Sequence, residues 1–188
     1  MMVLNMKRRR TWLTGLLVFI LGCAIIVNQH PGKLAHIPEE GYLAPSFTLE
    51  TVQGQSLNIT QLKGKPLMIN FFASWCPPCQ AEAPDLVKMD ALYHSQVTFI
   101  GVDMTESDSR SAVITFMKKV GIQYPVLLDS VGKVAKEYDV ISIPTSFFIN
   151  SKGVIVDRVE GALSQRTLQA ELSQLVKISP ESKASQQR

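Results

Sequence analysis

The sequence predicts a three-layer α/β fold built around a mixed β-sheet. Between residues 41 and 178, apolar runs typical of buried strands alternate with segments in which apolar residues recur at helical spacing. The last two strand-like runs are separated by only a few polar residues, which indicates an antiparallel pair, and an amphipathic helix follows them. We therefore expect parallel and antiparallel strands in one sheet, closed by a helix.

The first predicted elements are a hairpin, a buried strand and a helix. Residues 46–49 and 56–59 flank Gln53-Gly54-Gln55, a turn-like sequence, and so predict two short paired strands. Residues 67–73 (LMINFFA) form an almost continuous apolar run, as expected of a strand buried on both faces. A helical pattern follows over residues 77–93.

The remaining elements continue the alternation. Residues 97–102 predict a second buried strand, and residues 111–120 predict a helix for which Gly121 is a typical C-cap. A strand at 125–128 and a weak helix at 131–138 come next. Strands at 145–149 and 154–160 flank the turn Lys152-Gly153, and a last helix covers residues 164–176.

The composition of the 188 residues excludes several classes of protein. Hydrophobic residues make up 46% of the chain, which excludes a disordered or low-complexity protein, and three cysteines are too few for a disulfide-dense scaffold. The net charge is +3, but residues 1–27 alone carry four positive charges, so the remaining 161 residues carry a net −1. The basic balance is therefore no indication of nucleic-acid binding, and none is predicted.

The N-terminal segments predict export. Residues 1–10 form a basic segment, and residues 11–27 (TWLTGLLVFILGCAIIV) form an uncharged run that would extend about 26 Å as a helix. Because Lys and Arg beside a membrane helix stay cytoplasmic, we predict a single transmembrane helix with the folded domain outside the cytoplasm. A cleaved signal peptide and a lipoprotein acylated at Cys23 are alternatives, and both would also export the domain.

Three further boundaries follow from composition. Residues 28–40 are polar and interrupted by proline and glycine, which predicts a linker. Residues 41–178 form the folded domain. Residues 179–188 are rich in serine and glutamine and predict a flexible tail.

The segment Trp75-Cys76-Pro77-Pro78-Cys79 is the most informative motif in the chain. It lies where a buried strand ends and a helix begins. A helix N-terminus offers unpaired N–H groups and a partial positive charge, both of which stabilise a thiolate, the nucleophile of disulfide exchange. Pro77 costs little at the first helical turn, since its missing N–H would have no partner there. The motif predicts redox catalysis by a cysteine pair.

Other interpretations of the cysteine pair fit less well. A zinc site needs more ligands, and the chain has no second Cys pair and only three scattered histidines, so we predict no metal. A purely structural disulfide over so short a loop would stabilise little. Covalent haem attachment needs His after the second cysteine, where Gln80 stands, and no cofactor is predicted.

The motif and its surroundings resemble the membrane-anchored, thioredoxin-like thiol–disulfide oxidoreductases of the ResA/TlpA type, a redoxin family. The resemblance covers residues 41–178 and implies a thioredoxin fold with an extra N-terminal β-hairpin and an inserted element. It rests on an ordered set of segments: Ala44-Pro45-Ser46-Phe47, residues 71–79, Glu82-Ala83-Pro84, Gly121-Ile122-Gln123-Tyr124-Pro125-Val126, Tyr138-Asp139-Val140, Ile143-Pro144-Thr145 and Asn150-Ser151-Lys152-Gly153.

The resemblance also implies roles for individual residues. Cys76 would attack a client disulfide and Cys79 would resolve the mixed disulfide, so that Cys76 and Cys79 form the redox-active disulfide. Pro144 matches the family's cis-proline, and Ile143 and Thr145 flank it beside the active sulfur. Two further positions shape the site: Trp75 would shield it, and Pro77-Pro78 would tune its reduction potential.

Two positions depart from ordinary thioredoxins. The buried Asp six residues before their first cysteine is Asn70 here, and an amide cannot act as a base. We therefore expect Glu82, which matches a family glutamate, to accept the proton of Cys79. An exposed helix carboxylate is the alternative interpretation of Glu82. The second departure is the dipeptide Pro77-Pro78, where reducing thioredoxins have Gly-Pro.

The resemblance implies reduction of disulfides in exported proteins. The expected clients are the Cys-x-x-Cys-His haem sites of apocytochromes c, and the expected electron donor is a membrane protein of the CcdA/DsbD kind. Alternatives are an oxidase or isomerase of secreted proteins, a reductant in spore or envelope assembly, and an anchored binding module with a structural disulfide. A peroxidase needs Thr and Pro where Ala73 and Ile69 stand, which argues against that activity.

Overall fold

The computed structural model describes residues 38–179. Four helices are present in this range: α1 (Pro77–Tyr93), α2 (Arg110–Val120), α3 (Lys133–Glu137) and α4 (Gln165–Ile178). Seven strands accompany them: β1 (Thr48–Thr51), β2 (Ser56–Asn58), β3 (Leu67–Phe72), β4 (Thr98–Asp103), β5 (Val126–Leu128), β6 (Thr145–Ile149) and β7 (Ile155–Glu160). Single 3₁₀ turns cover Ile59–Leu62 and Thr105–Ser107.

The strands form one mixed sheet in the order β2-β1-β5-β4-β3-β6-β7. Strand β4 runs parallel to both β3 and β5, whereas β6 is antiparallel to β3 and β7 is antiparallel to β6. The predicted hairpin forms β1 and β2, with Gly54 at a φ of 87° in its turn, and β1 joins the sheet by antiparallel pairing with β5. The predicted mixed sheet is confirmed.

Apolar side chains fill both faces of the sheet. On one face, Leu86 of α1 and Leu168 of α4 pack with Met68 and Phe72 of β3. On the other face, Phe71 of β3 packs with side chains from the start of the domain, α3 and β6. Because β3 contributes to both clusters, all six of its residues are buried, which explains its continuous apolar sequence.

The helix α3 is shorter than predicted. Its five residues begin after Gly132, which has a φ of 63°, and the chain turns away at Asp139, which has a φ of 49°. Neither backbone conformation continues a right-handed helix, so the predicted span of residues 131–138 is too long at both ends. The predicted C-cap is confirmed at Gly121, which adopts a left-handed conformation with a φ of 86°.

The predicted basic segment, transmembrane helix and most of the linker, residues 1–37, lie outside the described residues, as do residues 180–188 of the predicted tail. Within residues 38–179, no helix combines the length and the apolar character needed to cross a bilayer.

Candidate active site

The cysteine pair lies at the junction between β3 and α1. Cys76 is the N-cap of α1, with extended backbone, and Pro77 and Pro78 occupy the first two helical positions. These prolines fit there because the first N–H groups of a helix have no intrahelical partner. Cys79 thus becomes the first residue of α1 that can donate a backbone N–H, and that N–H points at Cys76 Sγ at 3.4 Å.

Cys76 and Cys79 form a disulfide, with their Cα atoms 5.3 Å apart. Both residues are buried, Cys76 at 3% exposure and Cys79 at 2%. The N–H of Cys79 lies where it can stabilise a thiolate on Cys76 after reduction, in addition to the partial positive charge of the helix terminus. The sulfur pair is therefore placed for disulfide exchange.

The segment before β6 brings a backbone carbonyl next to the disulfide. The oxygen of Ile143 lies 3.8 Å from Cys76 Sγ, and the Ile143–Pro144 peptide bond is cis. Pro144 and Thr145 are buried, and the Thr145 hydroxyl donates to the carbonyl of Ser142 at 2.8 Å. Ile143 is thus a partly buried side chain whose backbone lies beside the sulfur, whereas Thr145 contributes to the fold of this segment.

Glu82 is buried on α1, one helical turn after Cys79. Its side chain is not the exposed carboxylate of the alternative interpretation, since the residue is 2% exposed. Oε1 accepts a hydrogen bond from Asn70 Nδ2 at 2.8 Å, and Oε2 accepts one from the Leu163 N–H at 2.9 Å. Asn70 Nδ2 also donates to Ser146 Oγ at 3.1 Å. Residues three apart share a face of a helix, so Glu82 and Cys79 point to the same side of α1.

The surroundings of Glu82 bring its pKa into the neutral range. Burial raises the pKa of Glu82 to about 7, and the hydrogen bonds from Leu163 and Asn70 limit the rise because they stabilise the carboxylate. A carboxyl group with this pKa exchanges protons readily at neutral pH, as a general acid or base must.

Trp75, Pro77 and Pro78 form the exposed surface around the buried sulfurs. Trp75 is 55% exposed, and its indole Nε1 donates to the carbonyl of Ser107 at 2.8 Å. Both prolines are exposed. An exposed aromatic ring fixed by a hydrogen bond provides a rigid apolar contact for a partner at low entropic cost.

The sequence did not reveal the partners that hold these residues. Asn70, Ser146 and Leu163 surround Glu82, and Asp108 accepts the Ser74 N–H at 2.6 Å. The polar Asn70 inside an otherwise apolar strand was the one available signal, but it gave no indication of its partner.

Comparisons with known proteins agree with this geometry. The Redoxin family model matches residues 39–176. The chain belongs to the redoxin family. This redoxin is 35% identical over 162 residues to the thiol-disulfide oxidoreductase ResA of Bacillus subtilis strain 168, which spans 85% of this chain and 89% of that protein. It is 31% identical to the sporulation thiol-disulfide oxidoreductase A of the same organism, over 80% of this chain and 90% of that protein.

A solved structure shows the same fold. A thiol:disulfide interchange protein of the thioredoxin family from Chlorobium tepidum TLS superposes with a TM-score of 0.65 at 32% sequence identity, covering 71% of this chain and 95% of that one. The redoxin therefore has the predicted thioredoxin-like fold and is a thiol–disulfide oxidoreductase, with a Cys-x-x-Cys disulfide at the start of α1.

Proposed function

We propose that this redoxin reduces disulfides in exported proteins, with the Cys-x-x-Cys-His haem sites of apocytochromes c as its main clients. The observation that carries the proposal is the buried contact between Glu82 and Asn70 beside the cysteine-bearing turn of α1. Glu82 offers a proton acceptor on the face of the helix that carries Cys79. The aspartate that ordinary thioredoxins use is replaced here by Asn70.

The reaction proceeds in two exchanges. The Cys76 thiolate attacks one sulfur of the client disulfide, which forms a mixed disulfide and releases the other client sulfur as a thiolate. Cys79 transfers its proton towards Glu82 and attacks Cys76 Sγ, which breaks the mixed disulfide. The second client sulfur leaves as a thiolate, the Cys76–Cys79 disulfide forms, and two electrons have passed to the client.

The charged groups around the two sulfurs support electron flow from this redoxin to its clients. A strongly stabilised thiolate favours the reduced enzyme and makes the couple oxidising. Within the described part of the chain, no cationic side chain hydrogen-bonds to either sulfur, and the titratable group on the Cys79 side of α1 is the carboxyl of Glu82. A carboxylate disfavours a nearby thiolate, so Glu82 offsets part of the stabilisation that the Cys79 N–H and the helix terminus give to the reduced form.

The predicted transmembrane anchor supports an extracytoplasmic site of action. Four cations followed by 17 uncharged residues predict that the domain lies outside the cytoplasm. Each turnover leaves the enzyme oxidised, so a reductant must restore the dithiol. We propose a membrane electron donor of the CcdA/DsbD kind, which would pass electrons to Cys76–Cys79 by the same exchange.

Spore-envelope assembly is a second candidate process. The observation that favours it is the 31% identity with the sporulation thiol-disulfide oxidoreductase A of Bacillus subtilis strain 168. The chemistry is the same in both cases, and the clients differ.

The clients are identified by trapping. In a Cys79→Ala variant the mixed disulfide on Cys76 cannot be resolved, so full-length protein in membranes should accumulate covalent adducts that mass spectrometry identifies. A variant with both cysteines replaced is the matched control. Apocytochromes c among the adducts would support the proposal, and spore-envelope proteins would favour the second candidate. Adducts with abundant thiols alone would contradict a dedicated client.

A further inference from the structure

The loop after β4 holds the segment that leads into Cys76. The loop segment of residues 104–108 and the active-site segment of residues 72–75 are joined by three hydrogen bonds. These run from Met104 N to Phe72 O at 2.9 Å, from Ser74 N to Asp108 Oδ2 at 2.6 Å and from Trp75 Nε1 to Ser107 O at 2.8 Å. The positions of Ser74 and Trp75, and hence the cover over Cys76, therefore depend on the loop segment.

Asp103 is a fully buried carboxyl group at the base of the loop segment. It ends β4, where its Cα is paired with Phe72 of β3, and it is 0% exposed. Oδ1 accepts a hydrogen bond from Thr105 Oγ1 at 2.7 Å, whereas Oδ2 accepts none from any donor within residues 38–179. An ionised carboxylate with an unsatisfied buried oxygen is costly, but a protonated Oδ2 could donate.

The charged neighbours of Asp103 are all acidic. Asp108 is the carboxylate that faces it, and its charge and its contact with Asp103 both oppose ionisation. Directly after β5, the Asp129 N–H donates to the Asp103 carbonyl, and the Glu106 N–H donates to the Asp129 carbonyl. No lysine, arginine or histidine in residues 38–179 forms an ion pair with Asp103. Burial, followed by the effect of Asp108, raises the pKa of Asp103 to about 7.

We propose that Asp103 is a positioning residue for the active-site segment: its protonated carboxyl donates a hydrogen bond from Oδ2 to Asp108, and this bond keeps Asp108 on the Ser74 N–H. When Asp103 loses its proton, two carboxylates are in contact and repel each other. Asp108 then moves away, the Ser74 and Trp75 contacts loosen, and Cys76 becomes more accessible. This inference deepens the proposed function, since it describes how client access to the disulfide is controlled.

Trp75 reports the state of this segment directly. The sequence has two tryptophans, Trp12 and Trp75, so a Trp12→Phe background leaves Trp75 as the only one. The emission of the oxidised full-length protein in detergent is titrated from about pH 5 to about pH 9. We expect one transition near pH 7, as Asp103 ionises and the contact between Trp75 and Ser107 loosens.

Three variants test whether Asp103 causes the transition. In Asp103→Asn the amide donates to Asp108 at every pH, so the transition should disappear. In Glu82→Gln it should persist, which matters because burial raises the pKa of Glu82 to about 7 as well. In Asp108→Asn an amide replaces the second carboxylate and donates to the ionised Asp103, so no repulsion loosens the segment and the transition should disappear.

An unchanged transition in Asp103→Asn, or its loss in Glu82→Gln, would overturn the proposal. If circular dichroism shows that Asp103→Asn does not fold, Asp108→Asn decides, and a transition that persists in this variant overturns the proposal. The readout uses the oxidised protein and no client, so it succeeds or fails independently of the proposed reduction of exported proteins.

Discussion

Asn70 Nδ2 donates a hydrogen bond to Glu82 Oε1 at 2.8 Å in the interior of the protein. The two residues belong to β3 and α1, the elements that flank the cysteine pair. Asn70 occupies the position at which ordinary thioredoxins have a buried aspartate. In this protein the buried carboxyl group next to the cysteine pair is instead Glu82, on the helix. Asn70, on the strand, donates the hydrogen bond that orients the Glu82 carboxyl group.

Replacement of Glu82 by glutamine removes the proposed proton acceptor and keeps the size of the side chain. We expect the resolution of a mixed disulfide on Cys76 to slow on the order of 10²-fold at pH 7, the lower range for general acid–base catalysis. The pH dependence centred near 7 should disappear, because it reflects a pKa that burial raises to about 7. Stopped-flow kinetics with a model disulfide measures both. Unchanged rates and unchanged cysteine titration would contradict the role.

Glu82 should also make the fold less stable as the pH rises. Its pKa is about 7 in the folded protein and 4.5 when exposed, so the folded state binds the proton more tightly. The stabilisation is fully present below about pH 4.5 and is lost as the pH rises to about 7, an effect on the order of 3 kcal/mol. Between about pH 4.5 and about pH 7, the Tm of the oxidised Glu82→Gln variant should fall less than the Tm of the oxidised unmodified protein. Equal falls in both proteins would contradict the burial of an ionisable Glu82.

An Asn70→Asp variant tests the placement of the carboxyl group. It replaces a donor by a second buried carboxyl group facing Glu82, and one of the two must then remain protonated. We expect the pH profile of disulfide exchange to move to higher pH and the free energy of unfolding to fall by about 1–3 kcal/mol. Ser146→Ala is the matched control, since it removes the other partner of Asn70 Nδ2 and leaves the bond to Glu82 in place. If the Ser146→Ala variant showed the same shift in the pH profile of disulfide exchange, the shift could not be assigned to the Asn70–Glu82 contact.

Arg158 fixes the segment that carries Ile143 towards the disulfide. Its Nη2 donates to the Asp139 carbonyl and to Glu160 Oε1, both at 2.8 Å, and its guanidinium lies 5.3 Å from the ring centroid of Phe147. In Arg158→Met the exposed Asp139 carbonyl loses its donor, and we expect about 0.5–1.5 kcal/mol of destabilisation together with slower reduction of insulin.

The matched control for Arg158 is Glu160→Gln, which keeps the bond to Asp139. Glu160 is half exposed, and such surface ion pairs contribute about 0–1 kcal/mol. Equal losses of stability and activity in the two variants would contradict a role for the Asp139 contact.

Periodicity and turn residues predicted most of the fold, because each strand and helix has its own local signal. The continuous apolar run of β3, the proline-rich start of α1 and Gly121 at the end of α2 are examples. The error at α3 has the same local origin, since Gly132 and Asp139 adopt positive φ values that shorten the helix and that the sequence only weakly indicates.

The sequence predicted the cysteine pair of the candidate site but not the polar contacts around it. The Asn70–Glu82 contact joins residues 12 apart, and the Ser74–Asp108 contact joins residues 34 apart. Because β3 is buried on both faces, its sequence does not show towards which face Asn70 points. The burial of Glu82 follows from the packing of α1 on the sheet and on the segment before α4, where Leu163 donates to it. Such long-range contacts have no local signal.

The reduction potential of the Cys76–Cys79 couple tests the central claim most directly. It is measured on the full-length protein in detergent by equilibration with dithiol–disulfide buffers of known potential. A reductant of exported disulfides should have a reduction potential more negative than that of protein disulfide isomerase, about −180 mV. We expect a value near that of thioredoxin, about −270 mV. A potential near about −120 mV, that of a strong oxidant, would contradict the account and show that electrons flow from clients to this redoxin.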